Sequence, residues 1–144
     1  RLTRESVGET PLVTTPEQAA AVLRERARIL QHEVFWALML DTKNRLIGEP
    51  KRISEGTLNS SLVHPRELFK RALQHSCAAI ILAHNHPSGD PTPSAEDIKV
   101  TRQLISAGEV MGIKVLDHII VGHRRHQSDN DFISLREAGL VNFG

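Results

Sequence analysis

The stretch CAAIILAHNHPSGDPTPSAED, residues 77–97, decides the fold class of this 144-residue chain. It begins with seven apolar residues, a run typical of a strand that is buried on both faces. A connection with three prolines follows. Ser94 then starts a helix that is predicted to run to about Met111, where Gly112 suits the C-terminal stop. The stretch therefore predicts a buried strand, a stiff connection and a helix.

Helices and strands also alternate outside this stretch. Thr15 and Gln18 form a capping box with proline at the first helical position, which predicts a helix from Pro16. The continuously apolar run VFWALML, residues 34–40, predicts a second buried strand. Further strands are predicted at residues 45–54, 113–122 and 132–135, and a further helix from Pro65. This interleaving predicts the α/β class, with a mixed sheet packed between helices.

The organisation of the chain is predicted to be simple. Residues 1–14 are polar and lack periodicity, so we expect a flexible lead-in followed by one domain over residues 15–144. The chain starts at Arg1 and not at methionine, from which we expect a fragment of a longer protein.

Composition narrows the classes of partner. A net charge of +1 gives no general attraction to nucleic acid or to a membrane surface. The longest apolar runs are about half of the length that spans a bilayer, so we expect no membrane partner. The lone cysteine, Cys77, excludes an internal disulfide and fits a reducing compartment, so we expect a cytoplasmic protein. The oligomeric state has no signature in this sequence.

Two histidines lie at the carboxyl end of the strand that opens on residue 77. Because side chains alternate across a strand, His84 and His86 point to one face and Asn85 to the other. Two imidazoles one strand repeat apart can both reach one zinc ion at about 2.0–2.1 Å. Asp97, in the first turn of the next helix, leans back toward the helix N-terminus and could bring its carboxylate to the same point. Three protein ligands would leave a fourth position for water, as in catalytic zinc sites.

The same residues also have a purely structural interpretation. Ser94-x-x-Asp97 is a capping box, which would be present without any metal. A His-x-His pair is by itself a weak signal for metal binding. The spacing alone therefore leaves two interpretations open, a polar strand-to-helix connection and a metal site.

Hydrolysis at a zinc site works best with a carboxylate that takes the proton of the attacking water. Glu33 is the best candidate because it directly precedes the buried strand at residues 34–40, which should lie centrally in the sheet. From the pattern alone, an exposed residue at the end of the first helix is the simpler interpretation of Glu33.

The spacing of His84, His86, Ser94 and Asp97, with a glutamate upstream, resembles the JAMM motif of the JAB/MPN metalloproteases. The segments LDTKNRLIG, GTLNSSLVHPRELFKRAL and AGEVMGIKVLDHIIVG are similar to the RadC-type branch, bacterial proteins traditionally called DNA repair proteins. This resemblance covers roughly residues 16–140. It implies the JAB/MPN fold, which is akin to that of cytidine deaminases.

The resemblance also implies a role for each residue of the motif. His84, His86 and Asp97 would bind one Zn²⁺ per chain, Glu33 would be the general acid/base, and Ser94 would steady the oxyanion of the tetrahedral intermediate. The implied activity is zinc-dependent hydrolysis of a peptide or isopeptide bond in a peptide or protein substrate of unspecified sequence.

Two other functions fit this sequence less well. A DNA-associated module with a structural or vestigial metal site fits the traditional family name, but the near-neutral charge and the absence of tyrosine speak against it. RadC-type proteins usually carry an N-terminal helical region that residues 1–144 do not include, so we expect no DNA contact by this fragment. A nucleotide deaminase needs a zinc site with several cysteines, which a single cysteine excludes.

Three further features keep two interpretations each. His118 could support a metal ligand from behind or be a hydrogen-bonded core histidine. Asp90 could orient a ligand, although a turn residue is the simpler interpretation. The run HRRH, residues 123–126, could meet a phosphate or an acidic partner, although a solvated loop is the simpler interpretation.

Overall fold

The computed structural model describes residues 10–123 and 130–144. Within these ranges, five strands form one sheet and three helices cover its two faces. The elements are α1 (Pro16–Arg28), β1 (Val34–Leu40), β2 (Lys51–Glu55), α2 (Pro65–Gln74), β3 (Ala79–Asn85), α3 (Ala95–Met111), β4 (Lys114–Val121) and β5 (Phe132–Ser134). The α/β class is confirmed.

The sheet is mixed, as the sequence predicts. Its strand order is β2-β1-β3-β4-β5. β1 runs antiparallel to both β2 and β3, β3 and β4 are parallel, and β5 is antiparallel to β4. The two continuously apolar runs therefore form adjacent strands near the centre, and every residue of β1 and β3 is buried.

Each face of the sheet is covered by helices. On one face, α1 packs Ala20 and Leu23 against Trp36 and Leu38 of β1. On the other face, α2 and α3 pack against the alternate residues of the same strands, including Phe35. Because β1 feeds both hydrophobic cores, its lack of polar residues follows directly from its place in the sheet.

All three predicted helix starts are confirmed, including that of α2 at Pro65. Thr15 caps α1 and Ser94 caps α3, each in a complete capping box. Gly112 ends α3 with a φ of 71°, in the left-handed region that glycine adopts without steric cost. Ser94 thereby fixes where the first turn of α3 begins.

Two strands differ from the prediction by more than one residue at an end. The strand expected at residues 45–54 is reduced to β2, because Gly48 takes a φ of 67° and Pro50 has no N–H to donate to a ladder. β3 begins and ends two residues later than the apolar run, so His84 and Asn85 belong to the strand itself. His84 pairs with Phe35 of β1 and with Ile120 of β4.

Part of the segment predicted as a lead-in contacts the domain. Leu12 forms an isolated bridge with Arg45, and the Val13 amide donates to the Asn44 carbonyl at 2.8 Å. Val13 is 1% exposed and belongs to the core on the α1 face. Residues 10–14 are therefore packed on the domain, through contacts that periodicity does not reveal; residues 1–9 lie outside the described ranges. Among the described residues, no helix is long and apolar enough to cross a membrane.

Candidate metal centre

Two histidines and one aspartate converge where β3 ends and α3 begins. The Nε2 atoms of His84 and His86 lie 3.0 Å apart. Asp97 Oδ1 is 3.3 Å from His84 Nε2, and Asp97 Oδ2 is 3.2 Å from His86 Nε2. Atoms that bind one zinc ion tetrahedrally at about 2.0–2.1 Å lie about 3.3 Å from one another. The three side chains are therefore spaced like the ligands of a single ion.

The charges at this point suit a cation. His84 and Asp97 are buried, and the side chain of His86 is 12% exposed. Burial opposes the charge of Asp97, but hydrogen bonds with both histidines hold the pKa of its carboxyl well below its usual range. Burial also opposes protonation of His86, yet its pKa is raised by the hydrogen bond with Asp97, by the Asp90 carbonyl and by the charges of Asp97 and Glu33. An anionic, desolvated carboxylate thus draws positive charge to the site.

A chain of hydrogen bonds fixes the orientation of His84. The Thr101 hydroxyl donates to the Asp97 carbonyl at 2.7 Å, so its hydrogen is already used. His118 Nδ1 must therefore donate to Thr101 Oγ1, at 2.5 Å, which leaves His118 Nε2 as the acceptor for His84 Nδ1, at 2.8 Å. His84 Nδ1 therefore keeps its proton. Nε2 is the atom that faces Asp97, and it can exchange its hydrogen bond with that carboxylate for a bond to a metal ion.

His118 combines the two interpretations that the sequence leaves open. It is a fully buried histidine of β4, and it also holds a candidate ligand from behind. Burial and the neighbouring His84 keep the pKa of His118 well below its usual range. A neutral ring is required here, because an imidazolium could not accept the hydrogen bond from His84.

His86 is oriented by the proline-rich connection. Its Nδ1 lies 2.9 Å from the Asp90 carbonyl, which can only accept, so Nδ1 keeps its proton and Nε2 is the atom left to bind Asp97 or a metal ion. The Asp90 carboxylate accepts from the amide and hydroxyl of Thr92, as in a turn. Asp90 is therefore a turn residue whose backbone orients a candidate ligand.

The connection is held in place by a close backbone approach. A Cβ atom built on Gly122 would lie 2.0 Å from the Gly89 carbonyl oxygen, so only glycine fits at residue 122 without a shift. The His123 amide donates to the same carbonyl at 2.9 Å. Of the basic run at residues 123–126, residues 124–126 lie outside the described ranges.

Glu33 lies at the entrance to β1 and is partly buried. Since α1 ends at Arg28, the interpretation of Glu33 as the end of that helix is wrong. The Leu58 amide donates to Glu33 Oε2 at 2.8 Å. The charge of Glu33 is the smallest of the effects that raise the pKa of His86.

Ser94 and Asp97 serve the helix cap and the cluster together. Ser94 Oγ accepts from the Asp97 amide at 3.1 Å, and the Ser94 amide donates to Asp97 Oδ2 at 2.8 Å. The same Oδ2 atom lies beside His86, so the capping box also aims the carboxylate at the histidines. Ser94 is exposed, and its hydroxyl can still donate its own hydrogen.

Sequence reasoning missed two residues that surround Glu33. Asn85 binds the backbone on both sides of Glu33, and Leu58 binds its carboxylate. Leu58 lies in a segment without periodicity, so no pattern pointed to it. The only signal for Asn85 was its place between two candidate ligands.

Comparison with known proteins fits this geometry. The sequence model of the RadC-like JAB domain matches residues 13–140. The chain belongs to the RadC-like JAB domain family. The resemblance seen in the sequence is thereby confirmed, and the cluster of two histidines and an aspartate belongs to a RadC-like JAB domain.

Named relatives of this RadC-like domain are bacterial UPF0758 proteins. The chain is 58% identical over 130 residues to that of Desulforudis audaxviator, which covers 90% of this chain and 54% of the relative. It is 52% identical over 140 residues to that of Shouchella clausii, with 97% and 58% covered. For Caldanaerobacter subterraneus the identity is 50% over 143 residues, with 99% and 58% covered. The chain thus spans little more than half of the length of these relatives.

Proposed function

We propose that this RadC-like JAB domain is a zinc-dependent hydrolase that cleaves a peptide or isopeptide bond. One observation carries the proposal. Ligand atoms of His84, His86 and Asp97 lie within 4.8 Å of one another, and both histidines have Nε2 freed by hydrogen bonds on Nδ1. A helix cap alone needs neither histidine, so a polar strand-to-helix connection does not account for this arrangement.

The donor set selects the kind of metal. Two imidazole nitrogens and one carboxylate suit zinc, and three protein ligands leave a coordination position open. When bound in such a site, zinc acts as a Lewis acid and lowers the pKa of a coordinated water to about 7. Within the described residues there is one such cluster, which corresponds to one zinc ion per chain.

The protein groups around the open position perform the proton transfers. Glu33 accepts a proton from the attacking water and returns it to the leaving amine. Its Oε2 is held by the Leu58 amide, so Oε1 is the oxygen that takes the proton. The Ser94 hydroxyl donates to the oxygen of the reacting carbonyl as negative charge develops there.

The experiment is a screen for zinc-dependent cleavage. The purified protein is incubated with a library of linear peptides and of peptides branched through lysine, and new amino groups are detected by mass spectrometry. We expect cleavage that a chelator removes and added zinc restores. Glu33→Gln should abolish it, whereas Glu109→Gln, an exposed glutamate of α3, should not. The same products from the Glu33→Gln protein would contradict the proposal.

A further inference from the structure

Asn85 lies between the two candidate histidine ligands, but its side chain serves the opposite face of β3. The residue is 2% exposed. Its Oδ1 accepts from the Val34 amide at 2.7 Å, and its Nδ2 donates to the His32 carbonyl at 2.9 Å. The amide group of Asn85 therefore binds the backbone immediately before and immediately after Glu33.

These two hydrogen bonds, called the Asn85 clamp below, lie beyond the last backbone pair between β1 and β3. The pairing of β1 with β3 stops at Phe35 and His84, so no ladder pair joins residues 32–34 to β3. On the other side, the Gly56 amide donates to the Glu33 carbonyl at 2.8 Å, and the Leu58 amide donates to its carboxylate. The backbone around Glu33 is thus held by the segment after β2 on one side and by Asn85 on the β3 side.

We propose that Asn85 is a positioning residue, which sets the place of the Glu33 carboxylate relative to the metal ligands. The inference rests on the proposed function. His84 and His86 supply two proposed ligands on one face of β3, and Asn85 supplies the clamp on the other face. The same three consecutive residues therefore position both the proposed base and the proposed ligands. A general base must be held to within about 0.5 Å of its working position, which a partly buried loop residue does not achieve unaided.

The Leu58 amide reports the place of the Glu33 carboxylate without any substrate. Its hydrogen exchange, measured by NMR in the metal-free protein, is slowed by the bond to Glu33 Oε2. Glu33→Ala gives the exchange rate of an unpartnered Leu58 amide. In Asn85→Ala we expect the Leu58 amide to reach that rate, about tenfold faster than wild type, as for the loss of one protecting hydrogen bond.

Two controls separate positioning from general loosening. Ile119→Val, a mild truncation in the core, should leave the Leu58 amide at its wild-type rate. In Asn85→Ala the Leu135 amide, bonded to the His118 carbonyl, should also stay slow. Asn85→Thr keeps a strand-forming side chain that is too short to span both backbone groups, and it carries the test if Asn85→Ala does not fold.

Each outcome decides the inference. Fast exchange at Leu58 together with wild-type zinc content supports it. Wild-type exchange at Leu58 in the folded Asn85 variants would overturn it, and so would loss of zinc, since Asn85 would then act through His84 and His86. None of these readings needs hydrolysis, so a failed search for cleavage would count against the proposed function and leave this result unchanged.

Discussion

At the scale of single residues, the proton on Nδ1 of His84 and of His86 determines that Nε2 is the nitrogen that can bind a metal ion. A carbonyl can only accept, and this rule fixes the tautomer of His86 directly and that of His84 through Thr101 and His118. Both rings then present Nε2 to Asp97. The site is preorganised by its outer partners, and those partners should be as measurable as the ligands themselves.

His118→Phe tests this relay. Phenylalanine keeps an aromatic ring in the core but offers no acceptor to His84 Nδ1. We expect zinc affinity, measured by competition with a chromogenic chelator, to fall by about 10–100-fold, the usual effect of losing such a partner. His75→Phe, at an exposed histidine just after α2, is the matched control and should bind zinc like wild type. Equal affinities in the two variants would show that His118 does not orient His84.

At the scale of secondary structure, the capping box of α3 also positions Asp97, a proposed metal ligand. The chain offers a natural comparison, because α1 begins with a capping box of the same kind at Thr15. Asp97 contacts two histidines, whereas within the described part of the chain Thr15 and Gln18 contact none. Any effect that is specific to the Ser94 cap therefore reports on the metal centre and not on helix stability.

Ser94→Ala and Thr15→Ala form a matched pair. Each removes one cap hydrogen bond, so each should lower the free energy of unfolding by about 1 kcal/mol in urea denaturation of the metal-free protein. Only Ser94→Ala should also weaken zinc binding, by up to about tenfold, because it frees the Asp97 amide that helps to place the carboxylate. Equal zinc affinities in both variants would reduce the Ser94 cap to a helix start.

The elements also show what a sequence can predict. Short-range signals were reliable: the capping boxes at Thr15 and Ser94 and the glycine stop after α3 all lie within a few residues of what they control. Long-range contacts were not predictable. Leu58 reaches Glu33 across 25 residues and Asn85 reaches Val34 across 51, and no local periodicity encodes either bond.

At the scale of the whole molecule, the candidate metal centre lies beside hydrophobic cores that should keep the protein folded without metal. Two hydrophobic cores flank the sheet, and the candidate ligands lie where β3 and α3 meet beside one of them. Small zinc domains unfold without metal, but a sheet with this much burial should hold its fold. The zinc affinity can then change with pH while the protein stays folded.

Zinc affinity should fall as pH falls from 8 to 6. Zinc needs neutral imidazoles, and protons compete for the same nitrogens. Burial lowers the pKa of His86, but the interactions with Asp97 outweigh it, so the pKa is raised above its usual value of 6.5. Protons therefore begin to compete with zinc at a higher pH than for an ordinary histidine. In the metal-free protein, the interactions of protonated His86 contribute to the free energy of unfolding. This contribution is present at low pH and is lost as pH rises through the pKa that His86 has in the folded protein. Affinity that stays flat over this range, with unchanged circular dichroism, would contradict the assignment of His86.

Zinc content after dialysis tests the central claim most directly. Wild type and Glu33→Gln should each retain about one zinc per chain, because Glu33 is proposed as the base and not as a ligand. His84→Ala and His86→Ala should lose most of it while keeping the circular dichroism of the folded protein. Full zinc content in both histidine variants would contradict the ligand assignment. Loss of zinc from Glu33→Gln would make Glu33 a fourth ligand, and the site would be closed and structural.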